Sequence, residues 1–217
     1  MTLNENKYDH YYWKRIRKCR EIGYKVAKEF GIKLYDKEML ARAAKESGIC
    51  EEIFESHDEK PTSSFLYSLV MDTYSMGYSG NTYTDMPINH KVFLAQFDAI
   101  KKIADEGPCI LVGRCADYAL ESYKNVVSVF IHADLDARIR RIARIYNLTD
   151  AKAKDMILKT DKKRAGYYNY YTNKKWSDSK SYELCLTSSE LGIDGTANAI
   201  IDYVKLKESI AKESKRI

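Results

Sequence analysis

Residues 155–176 bring cations, a carboxylate and aromatic rings into a stretch of about six helical turns. On a helix, Asp161, Arg164 and Tyr168 stand at i, i+3 and i+7, so a carboxylate, a guanidinium and a phenol share one face. A planar guanidinium suits phosphate oxygens, and a carboxylate suits the hydrogen-bond donors of a base or a ribose. The spacing therefore predicts a site for a phosphorylated, ring-bearing ligand. The alternative is a solvated amphipathic helix with a tyrosine-rich packing face.

A second set of polar side chains follows an apolar run. Residues 109–113 read CILVG, which is typical of a buried parallel strand, and Arg114 and Asp117 come directly after it. Ligands of parallel α/β sheets bind beyond the carboxyl ends of the strands, where a guanidinium can hold a phosphate through two hydrogen bonds. A strand-ending glycine followed by a surface arginine explains the same residues equally well.

Three arginines recur along one side of a predicted helix. Arg138, Arg141 and Arg144 stand at i, i+3 and i+6 after the segment HADLD. Arginines on a mobile helix above a phosphate site would neutralise charge during phosphoryl transfer. A solvated helical face is the commoner meaning of such spacing.

The composition is that of one globular domain. The 217 residues carry a formal net charge of +5, which suits an anionic small ligand and is too weak to predict nucleic-acid binding without a clustered patch. The five cysteines have no C-x-x-C spacing, which argues against zinc and disulfides and for buried thiols in a reducing compartment. The sequence has no apolar run of membrane-spanning length and no apolar signal segment. We therefore expect a cytoplasmic protein that does not contact a membrane.

Hydrophobic periodicity predicts strands that alternate with helices. Strands are predicted at residues 32–35, 109–113, 126–133 and 183–187, with a weaker candidate at 8–12. Helices are predicted at residues 21–30, 37–47, 65–71 and 92–104, with Gly31 and Gly48 as terminating residues, and after the starting residues Asp134, Thr149 and Asp194. Residues 57–89 are expected to form an irregular excursion. The alternation predicts an α/β protein with a parallel, three-layer sheet.

Several ordered segments resemble the cytidylate kinase-like proteins, bacterial relatives of the nucleoside monophosphate kinases within the P-loop fold. The segments are 20–23 (REIG), 34–40 (LYDKEML), 93–96 (FLAQ), 107–118 (GPCILVGRCADY), 129–135 (VFIHADL), 159–176 (KTDKKRAGYYNYYTNKKW) and 191–195 (LGIDG). Several motifs in order are far more specific than any one of them. The resemblance implies a phosphotransferase that moves the γ-phosphoryl group of ATP to a nucleoside monophosphate or similar acceptor, with magnesium.

The resemblance also implies roles for individual residues. The acceptor nucleotide and its phosphate would be held by Arg114, Asp117, Asp161 and Arg164. The catalytic cations would be Arg20 and the lid residues Arg138 and Arg141. A single kinase-like domain would span residues 1–217, with an acceptor-side insertion at about 57–90 and lid-like helices at about 134–176. No residue is assigned as a metal ligand.

The chain departs from the family at the phosphate-binding loop. In the family a glycine-rich loop precedes the first helix, because only glycine lets backbone N–H groups approach the donor phosphates so closely. Aligned without gaps, this chain has Ile16, Arg17, Lys18 and Cys19 at those positions, followed by Arg20. Bulky side chains there are strained and fill the space of the β-phosphate. Arg17, Lys18 and Arg20 remain as cations that could hold ATP.

Three interpretations follow from this mixture of match and departure. An active phosphotransferase using ATP and magnesium explains the retained acceptor and lid residues. A pseudokinase that binds a nucleotide or a partner protein explains the lost glycine loop, and this loss favours impaired catalysis. A polyanion binder would use the cations of residues 14–20 with the aromatic residues 11–13. A frayed, solvated terminus explains those charges as well, so nucleic acid is the least favoured partner. The sequence does not specify the oligomeric state.

Overall fold

Helices alternate with short parallel strands in the computed structural model, which describes residues 18–36, 45, 48 and 87–213. The described elements are α1 (Lys18–Phe30), β1 (Lys33–Tyr35), α2 (Ile88–Glu106), β2 (Cys109–Leu111), α3 (Ala116–Ala119), β3 (Val129–His132), α4 (Leu135–Tyr146), α5 (Asp150–Thr172), a 3-10 turn (Ser179–Ser181), β4 (Leu184–Thr187) and α6 (Ser188–Glu213). A kink at Gly192 interrupts α6. The protein therefore belongs to the mixed α/β class that the sequence predicts.

The strands form two parallel pairs. In the first pair Leu34 of β1 lies opposite Ile110 of β2, and in the second Phe130 of β3 lies opposite Cys185 of β4. Among the described residues these pairs are separate two-stranded sheets. The parallel pairing agrees with the prediction, while one continuous three-layer sheet stays a prediction.

Helices cover the strands on two sides. Because side chains alternate across a strand, Ile110 faces one helical layer and its neighbour Leu111 faces the other. On the first side, α1 and α6 contribute the buried residues Ile22, Val26, Ala197, Ile200 and Ile201, which pack against residues of β2, β3 and β4. On the second side, α2 and α3 contribute Ile100, Ile103, Ala116 and Ala119, which pack against β1 and β2. The first cluster therefore joins the two strand pairs through one layer of helices.

Aromatic stacking anchors α5 on α2. The ring of Tyr171 stacks on the ring of Phe93 with a centroid distance of 3.9 Å, and Tyr167 meets Phe93 edge-on at 6.3 Å. Tyr171 and Phe93 are both fully buried, and the Tyr167 hydroxyl donates to Gln96 Oε1 at 3.2 Å. The tyrosine-rich packing face of residues 155–176 is therefore real. It fixes the helix that carries Asp161 and Arg164.

Two predicted helix ends are confirmed, and one cap is wrong. Gly31 ends α1 with a φ of 64°, and the next N–H, that of Ile32, donates to Ala27 O at 3.0 Å. Thr149 Oγ1 caps α5 by accepting from Lys152 N at 3.4 Å. Asp134 directly precedes α4, but its side chain makes no capping hydrogen bond. Its backbone N–H instead donates to Ser189 Oγ at 2.8 Å, which ties the start of α4 to α6.

Some predicted boundaries shift. Helix α1 begins at Lys18 and not at residue 21, so Lys18 and Cys19 lie in its first turn and not in a loop; neither is a glycine that would disfavour a helix. Helix α2 begins at Ile88, directly after Pro87, so residues 88–89 do not belong to the irregular excursion. Strand β2 ends at Leu111, two residues before the left-handed Gly113.

Several predicted segments lie outside the described residues. They are the strand candidate at 8–12, most of the helix at 37–47, and the excursion at 57–86 with its helix at 65–71. Within this part of the chain the structure describes Gly48, which has a φ of 82° and donates its N–H to Lys45 O at 3.0 Å. This is the terminating geometry that the sequence predicts for that glycine.

Candidate functional site

A cleft of about 1820 Å³ lies between the two strand pairs. Strands β2 and β3 border it, together with α1, α4 and α5. Its charged lining includes Arg20, Asp36, Arg114, Asp117, Arg138, Arg141, Asp161 and Arg164. The acceptor and lid residues predicted from the sequence therefore border one cavity, although they come from three separate segments of the chain.

A left-handed turn carries Arg114 into this cleft. Gly113, Arg114 and Cys115 have φ values of 80°, 59° and 56° in succession, directly after β2. A left-handed conformation costs a residue other than glycine roughly 1–2 kcal/mol. The turn is closed by the N–H of Ala116, which donates to Gly113 O at 3.2 Å, and α3 begins there. Arg114 is only 5% exposed. Strained backbone of this kind clusters at binding and catalytic sites.

Asp161 on α5 lies between two arginines. Arg138 of α4 approaches it in a bidentate manner, with Nη2 2.7 Å from both Oδ1 and Oδ2. Arg164, one turn further along α5, has Nη1 4.0 Å from Oδ1, which is an ion-pair distance and not a hydrogen bond. All three side chains are partly buried. The carboxylate therefore brings Arg138 of α4 and Arg164 of α5 together at the lining of the cleft.

Two more arginines are held by carboxylates near the start of α1. Arg20 Nε lies 2.9 Å from Oδ2 of Asp36, which is 7% exposed and directly follows β1. Arg141 of α4 donates through Nη2 to Glu21 Oε1 at 2.6 Å. Four arginines of the site, Arg20, Arg138, Arg141 and Arg164, thus have a carboxylate within ion-pair distance. A phosphate that binds here must compete with these carboxylates.

Asp117 is joined to an aromatic cluster. The Tyr168 hydroxyl donates to Asp117 Oδ2 at 2.6 Å, and the Tyr168 ring stacks on that of Tyr182 at 5.9 Å. Burial raises the pKa of Tyr168 far above its ordinary value, and the hydrogen bond to Asp117 raises that pKa further. Burial also raises the pKa of Tyr182 to about 12. Both phenols therefore keep their protons at neutral pH, and Tyr168 is the hydrogen-bond donor to Asp117.

The structure separates the predicted residues into three groups. Asp117 pairs with Tyr168; Arg138 and Arg164 meet at Asp161; Arg20 and Arg141 are held near the start of α1. Arg144 is exposed, as the solvated-face interpretation predicts for this position. Arg17 lies outside the described residues, and of Lys18 the structure describes the backbone in α1.

The sequence analysis did not identify Asp36 or Tyr182 as residues of the site. It also did not identify Glu21 as the partner of Arg141. Asp36 had a detectable signal, because it is a carboxylate placed directly after a predicted strand, where ligands of α/β sheets bind. Glu21 and Tyr182 had none, since their partners Arg141 and Tyr168 are distant in sequence. Contacts of this kind depend on how the helices pack.

The protein therefore has an α/β fold with a cleft whose lining arginines are mostly paired with carboxylates. The family model of the cytidylate kinase-like family matches residues 18–190. The chain belongs to this family, which confirms the resemblance found in the sequence. Membership indicates a kinase-like phosphotransferase, a class that in general uses nucleotides and magnesium.

One solved structure is similar to most of the chain. It is the crystal structure of an uncharacterized protein from Eubacterium ventriosum, which is 25% identical, with a TM-score of 0.63. The match covers 86% of this chain and 90% of that one. Comparison with curated proteins gave no match.

The described residues contain neither a membrane-spanning helix nor a cluster of metal-binding side chains. Among the helices of residues 18–36 and 87–213, none is both long and apolar enough to cross a bilayer. The same part of the chain holds no group of three or more His, Cys, Asp or Glu side chains arranged to bind a metal ion. Magnesium is commonly held through one or two carboxylates together with the phosphates of a nucleotide, so a site for it does not need such a group.

Proposed function

We propose that the protein binds a nucleoside monophosphate, or a similar phosphorylated acceptor, in the cleft between the strand pairs. Arg114, Asp117, Asp161 and Arg164 are its acceptor-binding residues. Arg138 and Arg141 are lid cations on α4, which faces the acceptor residues of α5. The reaction is transfer of the γ-phosphoryl group of ATP to this acceptor, and it is impaired on the donor side.

The observation that carries this proposal is the bidentate approach of Arg138 to Asp161, with both distances at 2.7 Å. It brings the middle of α5 against α4, so that a lid cation and the acceptor-side Arg164 converge on one carboxylate. A solvated helical face would leave Arg138 pointing into water, as Arg144 does. Convergent arginines suit a phosphate, because their planar donor sets match its oxygens.

The donor side has cations that suit the phosphates of ATP but lacks the glycine residues that would let the backbone approach them. Arg20, Arg138 and Arg141 border the cleft, and guanidinium groups there are suitable partners for phosphate oxygens. Arg17 and Lys18 are the further cations proposed to hold ATP. Bound ATP would supply the transferred phosphoryl group, and magnesium would neutralise its phosphates. The first turn of α1 contains Lys18, Cys19 and Arg20 and no glycine, so close backbone approach is hindered there.

A single three-layer sheet of the P-loop nucleoside monophosphate kinase type is part of the proposal. It is supported by the parallel sense of both strand pairs and by the cluster of α1 and α6 that packs against both of them. Helices α2 and α3 on the opposite side of β1 and β2 supply the third layer.

The alternative is a catalytically inactive pseudokinase that binds a nucleotide or a partner protein. The start of α1 at Lys18 favours it, because helix replaces residues that the aligned family sequence has in its glycine-rich loop. Losing one preorganised backbone donor commonly costs about 100-fold or more in turnover. The two candidates share the acceptor site and differ in whether phosphoryl transfer occurs.

A loop graft distinguishes the two candidates. In the graft, Ile16, Lys18 and Cys19 become glycine and Arg17 becomes serine; a matched control converts the same four residues to alanine. Monophosphate-dependent ATP consumption is measured for the native chain, the graft and the control. Weak native turnover that rises only in the glycine graft supports an impaired phosphotransferase. Zero turnover by the native chain, with monophosphate binding intact, supports the pseudokinase, and gain of activity only in the graft supports it further; robust native turnover contradicts it.

A further inference from the structure

We propose that Tyr168 is a positioning residue that sets acceptor preference by orienting the carboxylate of Asp117. Held through Oδ2, Asp117 accepts a hydrogen bond from an amino or hydroxyl group of the acceptor. This inference rests on the proposed function and adds a residue that decides which acceptors are preferred.

The hydrogen bond between Tyr168 and Asp117 has the geometry that orientation requires. The Oη–Oδ2 distance is 2.6 Å, which is the short range of bonds between a hydroxyl and a carboxylate. A carboxylate has two oxygens with about four acceptor positions, so one phenol leaves capacity for a second donor. Asp117 and Tyr168 both line the cleft, and Asp117 is half-buried. The pair is therefore placed where an acceptor would contact it.

Aromatic packing holds the phenol in place. Tyr168 is 6% exposed, and its ring stacks on that of Tyr182. Tyr182 in turn stacks on Phe130 of β3, with a centroid distance of 4.8 Å, and Trp176 meets Phe130 edge-on at 5.6 Å. Tyr168 thus connects α3, through Asp117, to the second strand pair. A group fixed in this way loses little freedom when a ligand binds, so its partner carboxylate is preorganised.

The direction of the hydrogen bond determines what Asp117 can recognise. Burial, and then the bond to Asp117, raises the pKa of Tyr168, so the phenol keeps its proton and acts as the donor. The carboxylate is left as an acceptor only. It favours an amino group or a hydroxyl, and it disfavours a carbonyl oxygen at the same position because two acceptors would face each other.

The test compares acceptors that differ in one group. CMP carries an amino group on the base where UMP carries a carbonyl group. CMP also has the ribose 2′-hydroxyl that dCMP lacks. Dissociation constants are measured by calorimetry for the native chain and for Tyr168→Phe, which keeps the ring and removes only the hydroxyl. We expect Tyr168→Phe to reduce the native preference for CMP over UMP, or for CMP over dCMP, by about tenfold. A change in the preference for CMP over UMP indicates that Asp117 contacts the base, and a change in the preference for CMP over dCMP indicates that it contacts the ribose.

Two further variants make the outcome decisive. Tyr203→Phe also removes a phenol that donates to a carboxylate, Glu183 Oε1 at 2.7 Å, but on the exposed side of α6, and it should leave both preferences unchanged. Asp117→Asn keeps an acceptor for Tyr168 and introduces an N–H donor, so it should weaken the same preference even if Tyr168→Phe does not fold. Preferences that are weakened in Asp117→Asn but unchanged in a folded Tyr168→Phe overturn the positioning role alone. Absence of native binding to all three nucleotides overturns this inference, whereas the proposed function fails only if no nucleoside monophosphate binds.

Discussion

Arg141 of α4 donates to Glu21 of α1 over 2.6 Å, although the two residues are 120 positions apart in the sequence. Their side chains are 18% and 30% exposed, so the ion pair is partly shielded from water. It joins α4 to the first turn of α1. A cation proposed to meet the transferred phosphoryl group is therefore held by a carboxylate, which an incoming phosphate would have to displace.

Glu21→Gln should make the protein less stable and improve its binding of triphosphates. The amide keeps the shape but loses the charge that compensates Arg141, so the free energy of unfolding should fall by about 1–2 kcal/mol. The same change removes a competitor for Arg141, so ATP and inorganic tripolyphosphate should bind more tightly. Urea denaturation and calorimetry measure the two effects.

The matched control for this variant is Glu29→Gln. Glu29 pairs with Lys205 between α1 and α6 at 2.8 Å, but both side chains are about half exposed. An exposed pair contributes little, so this variant should change stability much less and leave triphosphate binding unchanged. Weaker triphosphate binding in Glu21→Gln would contradict the view that the carboxylate competes with phosphate.

Replacing Arg114 should separate binding from stability. Arg114→Ala should weaken monophosphate binding by about 1.5–3 kcal/mol, the range for a hydrogen bond to a charged group. Arg114→Gly should weaken binding equally but be more stable than the alanine variant, because glycine adopts the φ of 59° without strain. Calorimetry and thermal unfolding of both variants provide the comparison. Monophosphate binding that survives in both would remove Arg114 from the acceptor site.

Alkaline pH should destabilise the protein through its buried tyrosines. The pKa of Tyr168 is raised by burial, and burial raises that of Tyr182 to about 12, against about 10 in the unfolded chain. Above about pH 10 the unfolded state loses protons that the folded state keeps, so stability falls as pH rises. Midpoints of thermal unfolding between about pH 9 and 12 should fall less steeply in Tyr168→Phe. The exposed control Tyr24→Phe should keep the native slope, and equal slopes in both variants would contradict this account.

Mild acid should destabilise the protein through His90. This side chain is 1% exposed beside Phe93 and Tyr171, and burial lowers its pKa below 6.5. As the pH falls below about 6.5, the unfolded state takes up a proton that the folded state resists, and stability decreases. His90→Phe should flatten the pH dependence of the urea midpoint in this window. His132→Phe, at an exposed histidine, should leave that dependence unchanged.

The sequence predicted those parts of the structure that depend on local spacing. Helical period placed Asp161 and Tyr168 on α5, and both side chains line the cleft. Gly31 and Thr149 were recognised as helix ends because the chemistry of helix termini is local. Arg114 was expected at the site because it follows a predicted strand, and ligands of parallel sheets bind beyond the carboxyl ends of the strands; Arg114 does line the cleft.

The remaining features depend on tertiary packing, which local spacing does not encode. The partners Glu21 and Arg141 lie on helices that are brought together by the strands between them. The left-handed turn at Arg114 and Cys115 was also missed, because neither residue favours positive φ and only Gly113 indicates it. The start of α1 was misplaced because the prediction depended on the apolar period of Ile22, Val26 and Phe30, whereas the helix already includes Lys18 and Cys19.

The central claim is that the cleft binds a phosphorylated acceptor, and ligand-dependent unfolding tests it most directly. The native chain is unfolded with increasing CMP, other nucleoside monophosphates or ATP, each with and without magnesium, beside Asp161→Asn. At about one hundred times its dissociation constant, a specific ligand should add about 2.7 kcal/mol to the free energy of unfolding. We predict this gain for at least one monophosphate in the native chain, and a much smaller gain in Asp161→Asn. Unfolding of the native chain that does not change with any monophosphate would contradict the claim.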